Sequence, residues 1–176
     1  MQLNPYTRAV LALAADLASA PARSPADLAA RCAAAGVRLE QPATAEDVTG
    51  VQAFLADWLA VVDADEPARR ATLLNGLLAR STDHPRLTDH SGDGWHLHFR
   101  PDRLGVAAQV AALVSAATAV HLTGRGMHRL GRCDAPGCDH VVVDTTRNGR
   151  QRYCGTTCAN RDAVRRHRLR QRAAAT

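Results

Sequence analysis

The sequence predicts a mainly α protein with small β elements: a helical N-terminal domain carrying one β-hairpin, then a small module that ends in a basic helix. Three observations lead there. Apolar residues recur at helical steps of three and four through most of residues 5–123, and the turn residues Ser91, Gly92, Asp93 and Gly94 separate two runs of strand character. Four of the five cysteines then fall in two pairs between Cys133 and Cys158. A chain of 176 residues with 46% hydrophobic composition allows one or two domains with an ample core.

Asn4 and Pro5 open the first helix, a capping side chain followed by a residue whose missing N–H has no partner in a first turn anyway. Tyr6, Val10, Leu13 and Leu17 share its apolar face. Ser24, Pro25 and Asp27 open a second helix, which Gly36 stops. Cys32 lies in it and reads as a small buried thiol, since no histidine stands near it in sequence to activate it. Thr44 with Glu46 and Asp47 begins the third helix, in which Val48, Val51, Leu55, Trp58 and Val62 form a core-facing stripe. A fourth follows Asp65 and Pro67, buries Leu74, Leu77 and Leu78, and gives way to the polar run from Ser81 to Pro85.

Arg86 to His90 and Trp95 to Arg100 are the expected strands of the hairpin. His96 and His98, two apart, share a face as metal ligands sometimes do; alternation with Trp95, Leu97 and Phe99 equally makes them the polar face of a half-buried strand. Asp102 is the expected cap of a fifth helix over 103–123, with Val106, Val110, Leu113, Ala117 and Val120 at helical spacing and Gly124 and Gly126 ending it. The resulting division is a helical unit over 1–123 and a cysteine-bearing module over 127–172, joined by a short glycine link.

The module begins with Met127 to Arg132 as a short strand, and Pro136 and Gly137 supply a tight turn between Cys133 and Cys138. His140 to Asp144 is a β-branched run, Asn148 and Gly149 suit a hairpin turn, and Arg150 to Tyr153 would return as its partner strand. Cys158 then lies in the first turn of a helix running to about Arg172, capped by Thr156 or Thr157. That order, knuckle, hairpin and helix bearing the second pair, is treble-clef-like. Four residues separate Cys133 from Cys138, three separate Cys154 from Cys158, and fifteen lie between the pairs. This is the spacing of a structural Zn2+ site with one ion per chain and no open position for water. Such a site is needed because about 40 residues bury too little apolar surface to fold alone. His140 or His167 replacing a cysteine, and a redox switch made of the same thiols, are the alternatives.

Charge divides the chain at the same place. Residues 124–176 hold twelve Arg against four Asp, a net of +8, and residues 1–123 hold ten Arg against thirteen acids, a net of −3. Bound zinc with four thiolates removes about two charges and leaves the module cationic. Arg161, Arg165, Arg168 and Arg172 follow at steps of four, three and four along the last helix, with Arg166 and Arg170 beside them, and Ala159, Ala163 and Val164 are left for packing. Such a row is an electrostatic footprint for phosphate backbone. Arg147, Asn148 and Arg150 on the preceding turn are of the residue types that pair with base edges or phosphates. Asn160 and Arg161 either contact nucleic acid or bond backbone carbonyls around the knuckle.

The module resembles the CGNR zinc finger family. Cys158, Ala159, Asn160 and Arg161 stand where that family has Cys-Gly-Asn-Arg; the Arg132-Cys133 entry, Asp144, the Thr146-Arg147-Asn148 run and Arg152 before the aromatic Tyr153 also match. Ala159 for glycine and only three residues between Cys154 and Cys158 are departures from its pattern. The first 120 or so residues more weakly resemble the ABATE domain that accompanies this finger, a helical unit with a small β element and a pair like Leu74-Asn75. The resemblance implies a stress-responsive transcription regulator.

The expectation is therefore a cytoplasmic, non-enzymatic regulator that binds duplex DNA through the finger, while the helical domain senses a small-molecule effector or forms a homodimer. Docking of the basic tail on an acidic protein, or RNA binding, is the competing reading. The N-terminal half shows no nucleophile elbow, phosphate loop or zinc-protease motif. His84, His90, His96 and His98 are the one concentration of catalytic-type residues. No membrane partner is expected, because the apolar stretches are broken by Asp, Arg, Gln or His where a span needs about 20 apolar residues.

Overall fold

The computed structural model describes residues 5–89, 95–101 and 103–174. The expected caps Asn4 and Asp102 and the hairpin turn with His90 and Ser91 to Gly94 lie outside the described residues. The helices are α1 (Pro5–Ser19), α2 (Pro25–Ala34), α3 (Ala45–Asp63), α4 (Pro67–Ser81), α5 (Val106–Arg125) and α6 (Thr156–Ala174). Two antiparallel strand pairs join them, β1 (Arg86–Thr88) with β2 (His96–His98) and β3 (Leu130–Arg132) with β4 (Val141–Val143).

Local chemistry sets the helix starts. The Ser24 hydroxyl accepts from the Asp27 amide, and Thr44 and Asp47 close a reciprocal capping box at α3. Gly36, at φ +71°, turns the chain after α2 where a side chain would strain it. The predicted stripes fill the core with Val10, Leu13, Leu17, Leu28, Cys32, Val51, Leu55, Trp58, Val62, Leu74 and Leu77; Tyr6 stays exposed. Burial pushes the Cys32 thiol up to about 11, which suits packing and not nucleophilic work.

α5 is the central helix, with α1, α3 and α4 packed around it. It is long and apolar enough to cross a bilayer by length and composition, and here it serves as the core of the bundle. Two of its buried polar residues are paired inward: Trp58 donates to Thr118 at 3.0 Å, and the Gln109 amide donates to Arg38 O and accepts from Glu40 N. At Gly50 of α3 the two helices approach so closely that a Cβ would stand 2.8 Å from that of Ala107. α5 spans 106–125 rather than 103–123, and its N-cap Gly105 offers no side chain. The Asp47 carboxylate of α3 accepts from the Ala107 amide at 2.9 Å in its place.

The β1–β2 hairpin faces the opposite way from the expectation. Leu87 and Leu97 sit opposite each other and are 68% and 55% exposed, and Trp95 is 76% exposed, while Arg86, Thr88 and His98 are half-buried. Polar anchors on the inner side select this orientation. Arg86 donates to Arg100 O, the Asp83 amide donates to Phe99 O, and buried Arg100 pairs with Glu40 at 2.6 Å.

The cysteine-bearing segment is fastened to the bundle. Leu130 and Val141 belong to the same buried cluster as the helices, and Arg132 makes a two-point ion pair with Asp63 of α3 at 2.6 and 2.8 Å. Buried Arg70 donates to Val61 O and Val62 O at the carbonyl end of α3 and also to Met127 O. It thereby caps one helix and holds the entry to the finger.

Candidate metal centre and the basic helix beyond it

Met127–Arg129 is a 3-10 turn, so the first strand is only Leu130–Arg132. It pairs with Val141–Val143, with Arg132 opposite Val141, which places residues 133–140 at the tip of a hairpin. The expected pairing of 140–144 with 150–153 does not form; those residues meet the knuckle through one backbone bond, Asp134 N to Arg152 O at 2.8 Å. Asn148-Gly149 instead serves a loop closed on the Asp144 carboxylate. That buried group accepts from the Thr146 amide and hydroxyl at 2.8 and 2.5 Å and from the Gln151 amide at 3.0 Å. These bonds overcome its burial and hold the carboxyl below its usual range. Gly149, at φ +67°, lies under the Arg129 guanidinium, where a Cβ would come within 2.6 Å.

The loop delivers Cys154 to the first pair, and α6 delivers Cys158. The four sulfurs all lie within 4.8 Å of one another, with 3.7 Å between Cys138 and Cys154, 3.6 Å between Cys154 and Cys158, and 3.7 Å between Cys158 and Cys138. A tetrahedron with Zn–S arms of about 2.3 Å has edges of about 3.8 Å, so the cluster has the size that zinc requires. The Cys154 amide donates to the Cys133 sulfur at 3.4 Å. Burial works against the Cys133 thiolate, yet the amides of Ala135 and Cys154 hold that thiol below its ordinary value, while burial and the neighbouring sulfurs push Cys154 up to about 12. A divalent ion relieves that conflict, since its charge stabilises all four thiolates together. Cys133, Cys138, Cys154 and Cys158 fit a structural zinc site, and among the described residues neither His140 nor His167 joins the cluster.

α6 leaves this site and runs outward. Thr156 is already helical, so neither Thr156 nor Thr157 is the expected cap. Ala163 and Val164 do not pack as expected: both are exposed, Val164 and Leu169 by 50% and 51%. The buried residue of α6 is instead Asp162, 4% exposed. It accepts from the Tyr153 hydroxyl at 2.7 Å and pairs with Arg165 at 2.9 Å and Arg166 at 3.0 Å. Sequence reasoning passed over Asp162, although it is the one acid between residues 145 and 176 and stands three and four places before two arginines.

The arginines divide by what they touch. Arg161 donates to Pro136 O at 3.2 Å and lies 3.8 Å from the Cys158 sulfur, so it braces the knuckle. Arg165 and Arg166 are held by Asp162. Arg147, Arg150, Arg168 and Arg170 are exposed and have no ion-pair partner among the described residues; Arg172 is exposed as well. Asn148 accepts from the Thr146 hydroxyl at 3.1 Å. At 100° per residue, Arg161, Arg165, Arg168 and Arg172 form one stripe, whereas Arg166 and Arg170 fall on the far side and not beside it. Of the histidines around β1–β2, His84 bonds Asp83 at 2.8 Å, and the side chains of His90 and His96 lie outside the described residues.

No curated protein compared with the chain matched it. Residues 129–171, which hold the four sulfurs, the Asp144 loop and most of α6, match the family model of the CGNR zinc finger.

Proposed function

We propose that this chain is a regulator that binds duplex DNA through α6 and acts by binding rather than catalysis. The observation that carries the reading is a 19-residue helix anchored in a zinc site, with one buried residue and arginines on two opposite faces. A helix about 10–12 Å across fits a major groove about 12 Å wide, and arginines on both sides then face the two phosphate walls. Arg168, Arg170 and Arg172, with Arg147, Asn148 and Arg150 on the Asp144 loop, are the groups we assign to the nucleic acid. Arg165 and Arg166 join them from their Asp162 anchor, while Arg161 belongs to the knuckle. The helical bundle is where we place effector sensing or dimerisation, in a cytoplasmic protein.

The test is fluorescence anisotropy of the zinc-loaded protein with labelled duplex over a range of salt. Affinity should fall by roughly 0.9 log units per log unit of salt for each phosphate engaged. Arg168→Ala with Arg170→Ala should flatten that slope by about two contacts. No binding to duplex or single strands at low salt, together with no effect of the pair, rejects the reading.

A second reading, docking of α6 on an acidic protein, is favoured by the half-exposed Val164 and Leu169. Val164→Ser with Leu169→Ser separates the two. Association with a protein that survives nuclease and is lost in this variant belongs to the second reading; unchanged duplex affinity belongs to the first.

A further inference from the structure

We propose that Asp162 is a positioning residue that holds Arg165 and Arg166 together on one flank of α6 for sequence-selective contact with DNA; this rests on the reading of α6 as the nucleic-acid-binding element. An acid in this helix is a cost to simple phosphate attraction, since it cancels one positive charge where the rest of 145–176 carries none of the opposite sign. Its burial requires that both oxygens be satisfied, and both are. One accepts Nε of Arg165 at 2.9 Å and has Nη2 of the same guanidinium beside it at 2.9 Å; the other accepts the Tyr153 hydroxyl at 2.7 Å and is ion-paired with Arg166 Nε at 3.0 Å.

The consequence is directional. Arg165 lies on the stripe with Arg168 and Arg172, Arg166 follows it about 100° round the helix toward Arg170, and one carboxylate fixes both guanidinium groups between those two rows. Arg165 spends the Nε–Nη2 edge on Asp162 and keeps Nη1 for an outside acceptor. Arginine otherwise surrenders much rotamer freedom when it docks, and holding the side chain in advance removes part of that cost. Tyr153 immediately precedes Cys154, so the anchor of this yoke is tied to the metal site and not to the freely exposed length of α6. Zinc occupancy is thereby linked to the aim of two arginines, beyond the folding of the finger.

Charge and aim predict opposite results for Asp162→Asn. Replacement adds one unit of positive charge, so if Asp162 were only a diluting charge, every duplex would bind more tightly and with a steeper salt slope. If it positions the arginines, zinc stays at one per chain, and affinity for a duplex selected in vitro with the wild-type protein falls about tenfold. Affinity for a scrambled duplex of the same composition should hold or rise. Tyr153→Phe leaves charge unchanged and should move the ratio of the two affinities in the same direction, which keeps the test decisive if Asp162→Asn fails to hold zinc. Slow exchange of the Arg165 and Arg166 Nε protons in wild type, lost in Asp162→Asn, is the accompanying NMR signature. An unchanged or tightened selected-duplex affinity in both variants overturns the positioning role alone. Failure of wild type to bind either duplex overturns the DNA reading itself.

Discussion

At the scale of the residue, three carboxylates each join several groups. Asp162 gathers a tyrosine and two arginines, and Asp144 closes the loop ahead of Cys154. Of the three, Asp47 spans the largest sequence distance: it completes the capping box of α3 and accepts from Ala107, 60 positions away, at the start of α5. Burial opposes its ionisation, but the Ala107 amide and the Thr44 hydroxyl and amide hold it below the usual carboxylate range. Asp47→Ala therefore uncaps one helix and half-uncaps another, and should cost about 1–2 kcal/mol by urea denaturation. A loss under about 0.5 kcal/mol would mean that α5 does not depend on this group. The sequence marks Asp47 as a capping acid because Thr44 precedes it by three. Nothing local marks its second oxygen as belonging to α5, since that relation exists only once the helices cross at Gly50.

At the scale of the element, α6 stands apart from the other helices because beyond Asp162 tertiary packing does not hold it. Beyond Asp162 it contains no acidic residue, and Arg161 with Arg165, Arg166 with Arg170, and Arg168 with Arg172 are like charges four apart, each pair opposing the helix by about 0.2–0.5 kcal/mol. Helices of this length without packing are marginal in water. The outer turns should therefore gain helicity when a polyanion neutralises the arginines: far-UV circular dichroism should strengthen on addition of duplex DNA to the zinc-loaded protein, and with sulfate to a lesser degree. An unchanged spectrum at saturation would show that α6 is fully formed without a partner. The first five helices were legible because each has its own starting or stopping residues and a regular apolar stripe. The partner of β4 was not. Asn148-Gly149 is a strong local turn signal, but the cysteine pair at the tip of 133–140 and the apolar contacts of Leu130 and Val141 with the bundle outweigh it. The outward face of β1–β2 was hidden for a related reason, since the anchors on Glu40 and Arg100 come from outside the strands.

At the scale of the whole molecule, the finger and the bundle share a core and an ion pair, so the metal site is mounted on the helices. His121 lies in that junction. It is fully buried on α5, with Nε2 at 3.3 Å from Arg129 O and Nδ1 without a partner among the described residues. The neutral ring with its proton on Nε2 satisfies that contact, whereas a second proton would leave a buried N–H unbonded between Arg125 and Arg129, which Asp144 only partly offsets. Burial accordingly holds its pKa below the ordinary 6.5. The sign follows from that direction. Above about 6.5 the ring is neutral whether folded or unfolded and pH has no effect through it. Below that value the unfolded chain takes up a proton that the folded one refuses, so stability declines as pH falls until the folded-state pKa is reached, by up to about 1.4 kcal/mol per pH unit. Cysteine protonation weakens zinc binding over the same acid range, so the test is a difference: urea unfolding of zinc-saturated wild type and His121→Gln between neutral and mildly acidic pH. The variant should lose less stability on acidification than wild type does. Equal losses in the two proteins would remove His121 as the source, and leave the metal ligands as the group through which acid loosens the junction.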